Sequence, residues 1–244
     1  MRAHQPILSF AAALANRLWP TVKTPGDEPF CAVIGLHSSG SSALAGVLYH
    51  LGAHMGHKLG GHYGRDPRTA CGFEAAKLAR ICEDAIPFPA THMVQPAEVV
   101  TANLAGWIRI TQYEASRKKT VAVGKYPMMC RLGPLLVEIC GRRLRVIHID
   151  RALSESIMSL QRRCPQRSAE VIEKHQRWLW HGKHDFLASF PRESTLTITY
   201  DRLLSDARSV AQDMATFIGL RPTAAQVERA VASVDVGKRH VRAA

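Results

Sequence analysis

The residues with the clearest chemical potential form a turn of small hydroxyl side chains around a glycine, SSGSS at 38–42. An apolar run at 30–36 precedes this turn and has the length of a buried strand. The segment 43–51 follows it and places its apolar side chains on one helical face. In a strand–turn–helix of this kind, the free backbone N–H groups and the positive end of the helix dipole converge on one point. The sequence therefore predicts a phosphate-binding turn, with simple helix capping by the serines as the alternative.

Position 41 distinguishes this turn from that of the P-loop kinases. Those enzymes carry a lysine directly before the Ser/Thr that ends the turn, and here the corresponding residue is Ser41. An ATP- or GTP-dependent kinase is therefore disfavoured, and a small-molecule kinase is kept as an alternative.

The chain of 244 residues is strongly basic, with 32 Lys and Arg against 20 Asp and Glu and a net charge of +12. This balance favours an anionic ligand or partner. The basic residues are spread along the chain without a zinc-finger or RNA-binding signature, so nucleic acid is not the predicted partner. The sequence carries no signal of oligomeric state.

The cysteines and histidines do not form a recognisable metal motif. The six cysteines show no CxxC spacing, and we predict reduced, mostly buried thiols in a cytoplasmic protein. His50, His54, His57 and His62 are close in sequence, but His50 and His54 straddle Gly52 near the expected helix end. We therefore predict a scattered, solvated set of histidines and no metal.

Strand and helix patterns alternate along the rest of the chain. Short apolar runs predict strands at 121–123, 144–149 and 195–199, and helical spacing predicts helices at 72–82, 101–116, 132–140, 153–163, 169–190, 205–218 and 223–233. This alternation predicts an α/β three-layer sandwich with a central parallel sheet covered on both faces.

The predicted domain organisation is an N-terminal extension followed by one domain. Residues 1–25 are compatible with a short amphipathic helix over 6–19, which is too short to span a membrane. Residues 26–244 are predicted to form a single domain.

Polar residues follow the carboxyl ends of the predicted strands, which is where parallel α/β sheets bind ligands. The turn at 38–42 follows the first strand, Lys125 the second, Arg151 the third, and the pair Tyr200 and Asp201 the fourth. We expect these four segments to surround one crevice that accepts an anion.

Five segments, in this order, resemble those of the PAPS-dependent sulfotransferases, and in particular the bacterial branch with a G-M-H-R-S-G-T-S turn (PAPS is 3′-phosphoadenosine 5′-phosphosulfate). The segments are GLHSSGSS at 35–42 in place of the 5′-phosphosulfate loop, GFE at 72–74, GKYP at 124–127, Arg151 with Ser159 in place of the Arg-x7-Ser motif, and ITYDRL at 198–203 with FIGL at 217–220. The resemblance implies a P-loop NTPase-like sulfotransferase fold. It also implies sulfuryl transfer from PAPS to an acceptor hydroxyl, on a carbohydrate or glycolipid, with PAP as the product and no metal.

The resemblance also implies which residues bind the donor. Backbone N–H groups from Ser39, Gly40, Ser41 and Ser42 are expected to hold the 5′-phosphate, with hydroxyl contacts from Ser41 and Ser42. Arg151 and Ser159 are expected to bind the 3′-phosphate, and the tail residues Lys238 and Arg239 to cover the nucleotide. For Arg151, an ion pair with Asp201 or Glu155 is the structural alternative.

Ser38 departs from the family pattern, which has Arg or Lys at this position against the sulfuryl group. Lys125 or His37 is therefore expected to supply the missing positive charge, and Lys125 to stabilise the bridging and sulfuryl oxygens.

Glu74 is the predicted base for the acceptor hydroxyl, with His57 and His62 as alternatives. A glutamate in the first turn of a helix, favoured by the helix dipole, is the structural alternative for Glu74.

Three other functions stay open. Ser38 is compatible with a PAP- or PAPS-binding protein that has lost turnover. The small-molecule kinase predicts binding of ATP with magnesium. A nucleic-acid-binding module predicts steep salt dependence of binding.

Overall fold

The structure is a computed structural model that describes residues 29–60 and 72–234. The described chain contains one four-stranded sheet, built from β1 (Phe30–Ile34), β2 (Ala122–Lys125), β3 (Leu144–Asp150) and β4 (Thr195–Thr199). The strand order is β2-β1-β3-β4, and every neighbouring pair is parallel. The predicted parallel sheet is therefore confirmed, and the carboxyl ends of all four strands lie at one edge.

Helices connect the strands. Their bounds are α1 Ser41–His50, α2 Ala76–Ala85, α3 Ala97–Arg117, α4 Met129–Cys140, α5 Leu153–Arg163, α6 Ala169–Ser189, α7 Tyr200–Ser205, α8 Ala207–Ile218 and α9 Ala224–Ala232.

The core lies on both faces of the sheet, and alternation along β1 shows why. Phe30, Ala32 and Ile34 belong to a buried cluster with side chains of α3, α4 and α6. Cys31 and Val33 point the other way, into a cluster with side chains of α1, α8 and α9. Because successive side chains of a strand face opposite sides, a strand that is apolar throughout requires both faces to be covered. The predicted three-layer arrangement is confirmed.

Among the element boundaries that differ from the predictions, two have a local reason in the structure. The helix predicted to open at residue 72 begins at Ala76, because Phe73 has a left-handed backbone with φ 53° and Ala75 forms a bridge with Leu59. The helix predicted from 205 is preceded by the separate helix α7. The Asp206 side chain accepts a hydrogen bond from the Ser209 N–H at 3.1 Å and so caps a new helix, α8.

Five of the six cysteines lie in the described residues, and all five are buried free thiols, as predicted. Burial raises the pKa of Cys31 to about 12. Within residues 29–60 and 72–234, no helix combines the length and the apolar character needed to cross a membrane. The predictions for residues 1–25 lie outside the described residues.

Candidate active site

The turn after β1 owes its shape to backbone conformations that few side chains tolerate. Ser38 has φ 57° and Gly40 has φ 96°, both in the left-handed region. A Cβ atom on Gly40 would lie 2.5 Å from the ring of Tyr200, the first residue of α7. Glycine is therefore required at position 40 by both backbone angle and space.

The start of α1 has no side-chain cap. Gly40 is the N-cap residue, and no side chain accepts from the first N–H groups of the helix. Simple capping by the serines, the alternative predicted from sequence, is therefore not what the structure shows. The Ser41 and Ser42 N–H groups belong to the first helical turn, which lacks intrahelical partners. They are suited to an anion.

Ser39 forms hydrogen bonds within the turn. Its N–H was predicted to bind the phosphate, and this part of the prediction is wrong. Its N–H donates to the Leu36 carbonyl at 3.3 Å, and its hydroxyl donates to the same oxygen at 2.8 Å. Ser39 is also buried. Its N–H is engaged within the turn, so the N–H groups that fit an anion are those of Gly40, Ser41 and Ser42.

Lys125, at the carboxyl end of β2, reaches the turn from the neighbouring strand. Its side chain is 2% exposed. Its ammonium donates to Ser42 Oγ at 3.0 Å, to the Gly72 carbonyl at 3.4 Å and to Glu74 Oε1. Burial lowers the pKa of Lys125, and the charge of Glu74 and its hydrogen bond oppose that shift only in part. The predicted proximity of Lys125 to the turn is confirmed.

Glu74 is held beside Lys125 by its neighbour in sequence. The Phe73 ring packs on α1, where a Cβ atom on Gly46 would lie 2.9 Å from it. Glu74 precedes α2 and is 8% exposed, so the structural alternative of a first-turn helix glutamate is wrong. The ion pair with Lys125 places its carboxylate in the crevice instead.

Arg151, directly after β3, binds the turn from the other side. Its Nη1 donates to the Ser38 carbonyl at 2.9 Å, and its Nε donates to Glu155 Oε2 at 3.0 Å. Its guanidinium lies 4.3 Å from the centroid of the Tyr200 ring. The residues that follow the four strands therefore meet around the turn. The Glu155 ion pair predicted as the alternative for Arg151 is present.

Arg163, at the end of α5, was not among the predicted site residues. Its Nη1 donates to Ser38 Oγ at 3.1 Å. The Arg163 guanidinium therefore contacts Ser38, the position at which the PAPS-dependent sulfotransferases that the sequence resembles have Arg or Lys. The available signal was the position of Arg163, four residues after Ser159 on the same helix. Ser159 is half-buried on α5.

His37 is half-buried next to the turn. Its carbonyl accepts from Gln176 Nε2 at 2.8 Å, and within the described residues no partner is found for its buried Nε2 atom. Burial lowers the pKa of His37 well below its usual range, and nearby His175, Lys125 and other cations act in the same direction. The imidazole is therefore neutral at pH 7, which favours Lys125 and Arg163 over His37 as sources of positive charge.

Two of the histidines named in the sequence analysis lie away from the turn. His57 Nε2 is 2.7 Å from Glu114 Oε1 on α3, so His57 is engaged away from the crevice. His54 contacts the same carboxylate and is buried, which corrects the prediction of a scattered, solvated set of histidines. His62, Lys238 and Arg239 lie outside the described residues.

Comparison with known proteins gives a match in structure. No family model and no curated protein matches the chain. The sulfotransferase domain of the Synechococcus olefin synthase is 17% identical, with a TM-score of 0.52 over 88% of this chain and 84% of that domain. The sulfotransferase domain from the curacin biosynthetic pathway is 14% identical, with a TM-score of 0.53 over 86% and 83%. The sulfotransferase STF1 from Mycobacterium tuberculosis is 16% identical, with a TM-score of 0.56 over 91% and 75%.

These neighbours agree with the fold that the sequence motifs implied. All three are sulfotransferases of bacterial type that cover most of this chain. At such low identity the likeness concerns the fold, which here comprises a parallel sheet, the turn after β1 and the flanking helices. The chain therefore has the fold of the bacterial sulfotransferases.

Proposed function

We propose that this protein is a sulfotransferase that moves a sulfuryl group from PAPS to an acceptor hydroxyl. One observation carries the proposal: two positive features meet at the turn after β1. The uncapped amino terminus of α1 provides N–H groups, and the Lys125 ammonium lies 3.0 Å from Ser42 Oγ. Such a pair suits a group whose negative charge is spread over several oxygens.

Donor binding is assigned to the turn after β1, to Arg151 after β3 and to Ser159 on α5. The N–H groups of Gly40, Ser41 and Ser42 fit the 5′-phosphate, and the two serine hydroxyls add contacts. Arg151 and Ser159 are proposed to bind the 3′-phosphate, as the family resemblance implies. Because Arg151 Nε already donates to Glu155, which is partly exposed, a phosphate would replace that carboxylate. Lys238 and Arg239 stay predicted contacts from the tail.

In the proposed reaction, Glu74 accepts the proton of the acceptor hydroxyl and Lys125 stabilises the charge on the leaving oxygen. Glu74 accepts the hydroxyl proton as the acceptor oxygen bonds to sulfur. The bond between sulfur and the bridging phosphate oxygen breaks, and that oxygen keeps the electron pair. Lys125 donates a hydrogen bond to it. Protonation of Glu74 removes the counter-charge of Lys125, so the ammonium interacts more strongly with the leaving oxygen as its charge develops.

Arg163 and His37 complete the proposed site. The Arg163 contact with Ser38 Oγ supplies positive charge beside the turn, which favours turnover over the alternative of a binding protein without catalysis. His37 contributes a neutral imidazole whose buried Nε2 makes no hydrogen bond within the described residues. The acceptor class, a carbohydrate or glycolipid hydroxyl, follows from the family resemblance alone.

The test is a turnover assay with PAPS labelled in its sulfuryl group and a panel of oligosaccharides and glycolipids. We expect PAP formation that depends on an acceptor, transfer of the label to that acceptor, and loss of both in Lys125→Met. PAP binding without PAP formation for any acceptor would favour the non-catalytic protein. Phosphorylation of an acceptor with ATP and magnesium would favour the kinase.

A further inference from the structure

A second polar cluster lies away from the turn, where the segment after α1 meets the end of α3. His54 Nε2 is 2.7 Å from Glu114 Oε2, and His57 Nε2 is 2.7 Å from Glu114 Oε1. One ligand atom from each of these residues lies within 4.8 Å of the others. Within residues 29–60 and 72–234, this is the one group of His, Cys, Asp and Glu side chains with that geometry.

The backbone that carries the two histidines is firmly held. The His54 N–H donates to the Val121 carbonyl at 2.9 Å, and the His54 carbonyl accepts from the Val123 N–H at 2.8 Å. Residue 54 is thus bonded to the edge of β2, next to Ala122. Gly56, with φ 84°, turns the chain directly before His57. The two imidazoles are therefore brought to one carboxylate by the fold.

The chemistry of the three donors indicates the occupant. Two imidazole nitrogens and one carboxylate oxygen form a set that borderline divalent transition metals prefer, and Zn²⁺ takes such ligands at about 2.0–2.2 Å. His57 is 69% exposed at its side chain, which leaves an open direction for water as a fourth ligand. We propose that His54, His57 and Glu114 bind one divalent transition-metal ion, with Zn²⁺ as the preferred occupant.

Lys118 contacts the His54 ring and competes with metal binding. Its Nζ lies 3.2 Å from His54 Nδ1, and an ammonium can only donate. His54 Nδ1 is therefore the acceptor, and the ring proton lies on Nε2, where it bonds to Glu114. A histidine that binds metal through Nε2 needs its proton on Nδ1, usually donated to an acceptor. Metal binding must therefore shift that proton and displace Lys118, which is an exposed side chain.

The bound ion would link two parts of the chain that are distant in sequence. His54 and His57 follow α1, and Glu114 lies in the last turns of α3. A metal that binds only the folded protein stabilises it by mass action. The inference concerns a structural site and is independent of the proposed sulfuryl transfer.

The test uses the full chain, purified with a chelator and then dialysed. Co²⁺ is added as a spectroscopic probe, and Zn²⁺ affinity is measured by calorimetry and by competition with Co²⁺. We expect one bound ion and the intense visible absorption of a tetrahedral Co²⁺ site. His57→Ala and Glu114→Gln should weaken Zn²⁺ binding by about 100-fold or more, since changes outside the direct ligands already cost about 10–100-fold.

Two further variants sharpen the test. His92→Ala removes an exposed histidine outside the cluster and should leave Zn²⁺ affinity unchanged. Lys118→Met removes the competing donor and should tighten Zn²⁺ binding by about tenfold. Absence of stoichiometric binding, or binding that survives in His57→Ala and Glu114→Gln, would overturn the site. Unchanged affinity in Lys118→Met would overturn the competition between Lys118 and the ion.

Discussion

The two ends of strand β2 carry polar clusters that differ in burial. At the carboxyl end, Lys125 is 2% exposed and pairs with Glu74, which is 8% exposed. Near the amino end, beside Ala122, the side chains of His57 and Glu114 are 69% and 26% exposed. Strand β2 therefore has a buried ion pair at its carboxyl end, next to the turn, and a more exposed cluster near its amino end.

The difference in burial determines how much stability the protein loses when one partner of each cluster is removed. Removing charges from water is costly, and a buried pair is held together mainly because each partner would be worse off alone. An exposed pair gains little in net stability, because water and salt screen it. The Lys125–Glu74 pair thus adds little net stability as a pair, although removal of one partner alone is expected to be strongly destabilising.

Breaking each cluster should give very different results. Lys125→Met leaves the Glu74 carboxylate buried without its partner, so we expect a loss of about 3–5 kcal/mol in the free energy of unfolding. His57→Ala in metal-free protein should cost less than about 1 kcal/mol. Urea unfolding at pH 7 measures both. Similar losses in the two variants would contradict the distinction between the clusters.

A double variant separates stability from catalysis at the same position. Lys125→Met with Glu74→Gln removes both charges, so most of the lost stability should return while turnover stays at least about 100-fold below wild type. A double variant that regained activity would show that the pair is only structural.

The turn beside Lys125 can be tested with one substitution at two glycines. Gly40→Ala places a Cβ 2.5 Å from the Tyr200 ring at φ 96°, so the turn must shift, and we expect turnover to fall by about 100-fold. Gly106→Ala on α3 meets no atom within 4 Å and should stabilise its helix by about 0.5–1 kcal/mol. Equal activity in both variants would argue against a role for the turn.

Arg163 tests whether Ser38 has a substitute for the missing cation. Arg163→Ala should lower PAPS turnover by about tenfold, in the range of a lost hydrogen bond from a charged group. Its exposed neighbour gives the control, because Arg162→Ala should change turnover little. Adding Ser38→Arg to Arg163→Ala should restore activity. Failure of that rescue, with intact folding, would remove the proposed role of Arg163.

Burial should also determine how individual histidines affect stability at low pH. Burial lowers the pKa of His148 to about 3, with Lys183 and His184 acting in the same direction. Between about pH 6.5, the pKa of an unfolded histidine, and about pH 3, the unfolded state binds a proton at His148 that the folded state does not bind. The free energy of unfolding therefore decreases as the pH is lowered through this range, by roughly 1.4 kcal/mol per pH unit. We expect His148→Gln to flatten that slope in urea unfolding, and exposed His92→Gln to leave it unchanged.

Much of the fold was predictable because periodicity reports burial directly. A strand that is apolar throughout, such as β1, required helices on both faces, and the structure has them. The meeting of the turn with Lys125 and Arg151 followed from the common edge of a parallel sheet.

The missed features depend on contacts between distant segments. Arg163 meets Ser38 across 125 residues, and Glu114 meets His57 across 57. The spacing of Arg163 from Ser159 indicates only a shared helix, and sequence spacing does not specify the contact with Ser38 or that between Glu114 and His57. The engagement of the Ser39 N–H depends on the backbone angles of the turn, which hydroxyl residues alone do not specify.

The most direct test of the central claim is calorimetric titration of the unmodified protein with PAP, AMP, and ATP with magnesium. The account predicts that PAP binds about 10–100-fold more tightly than AMP, since the 3′-phosphate adds hydrogen bonds between charged groups. Equal binding of PAP and AMP, absence of PAP binding, or a preference for ATP with magnesium would contradict it.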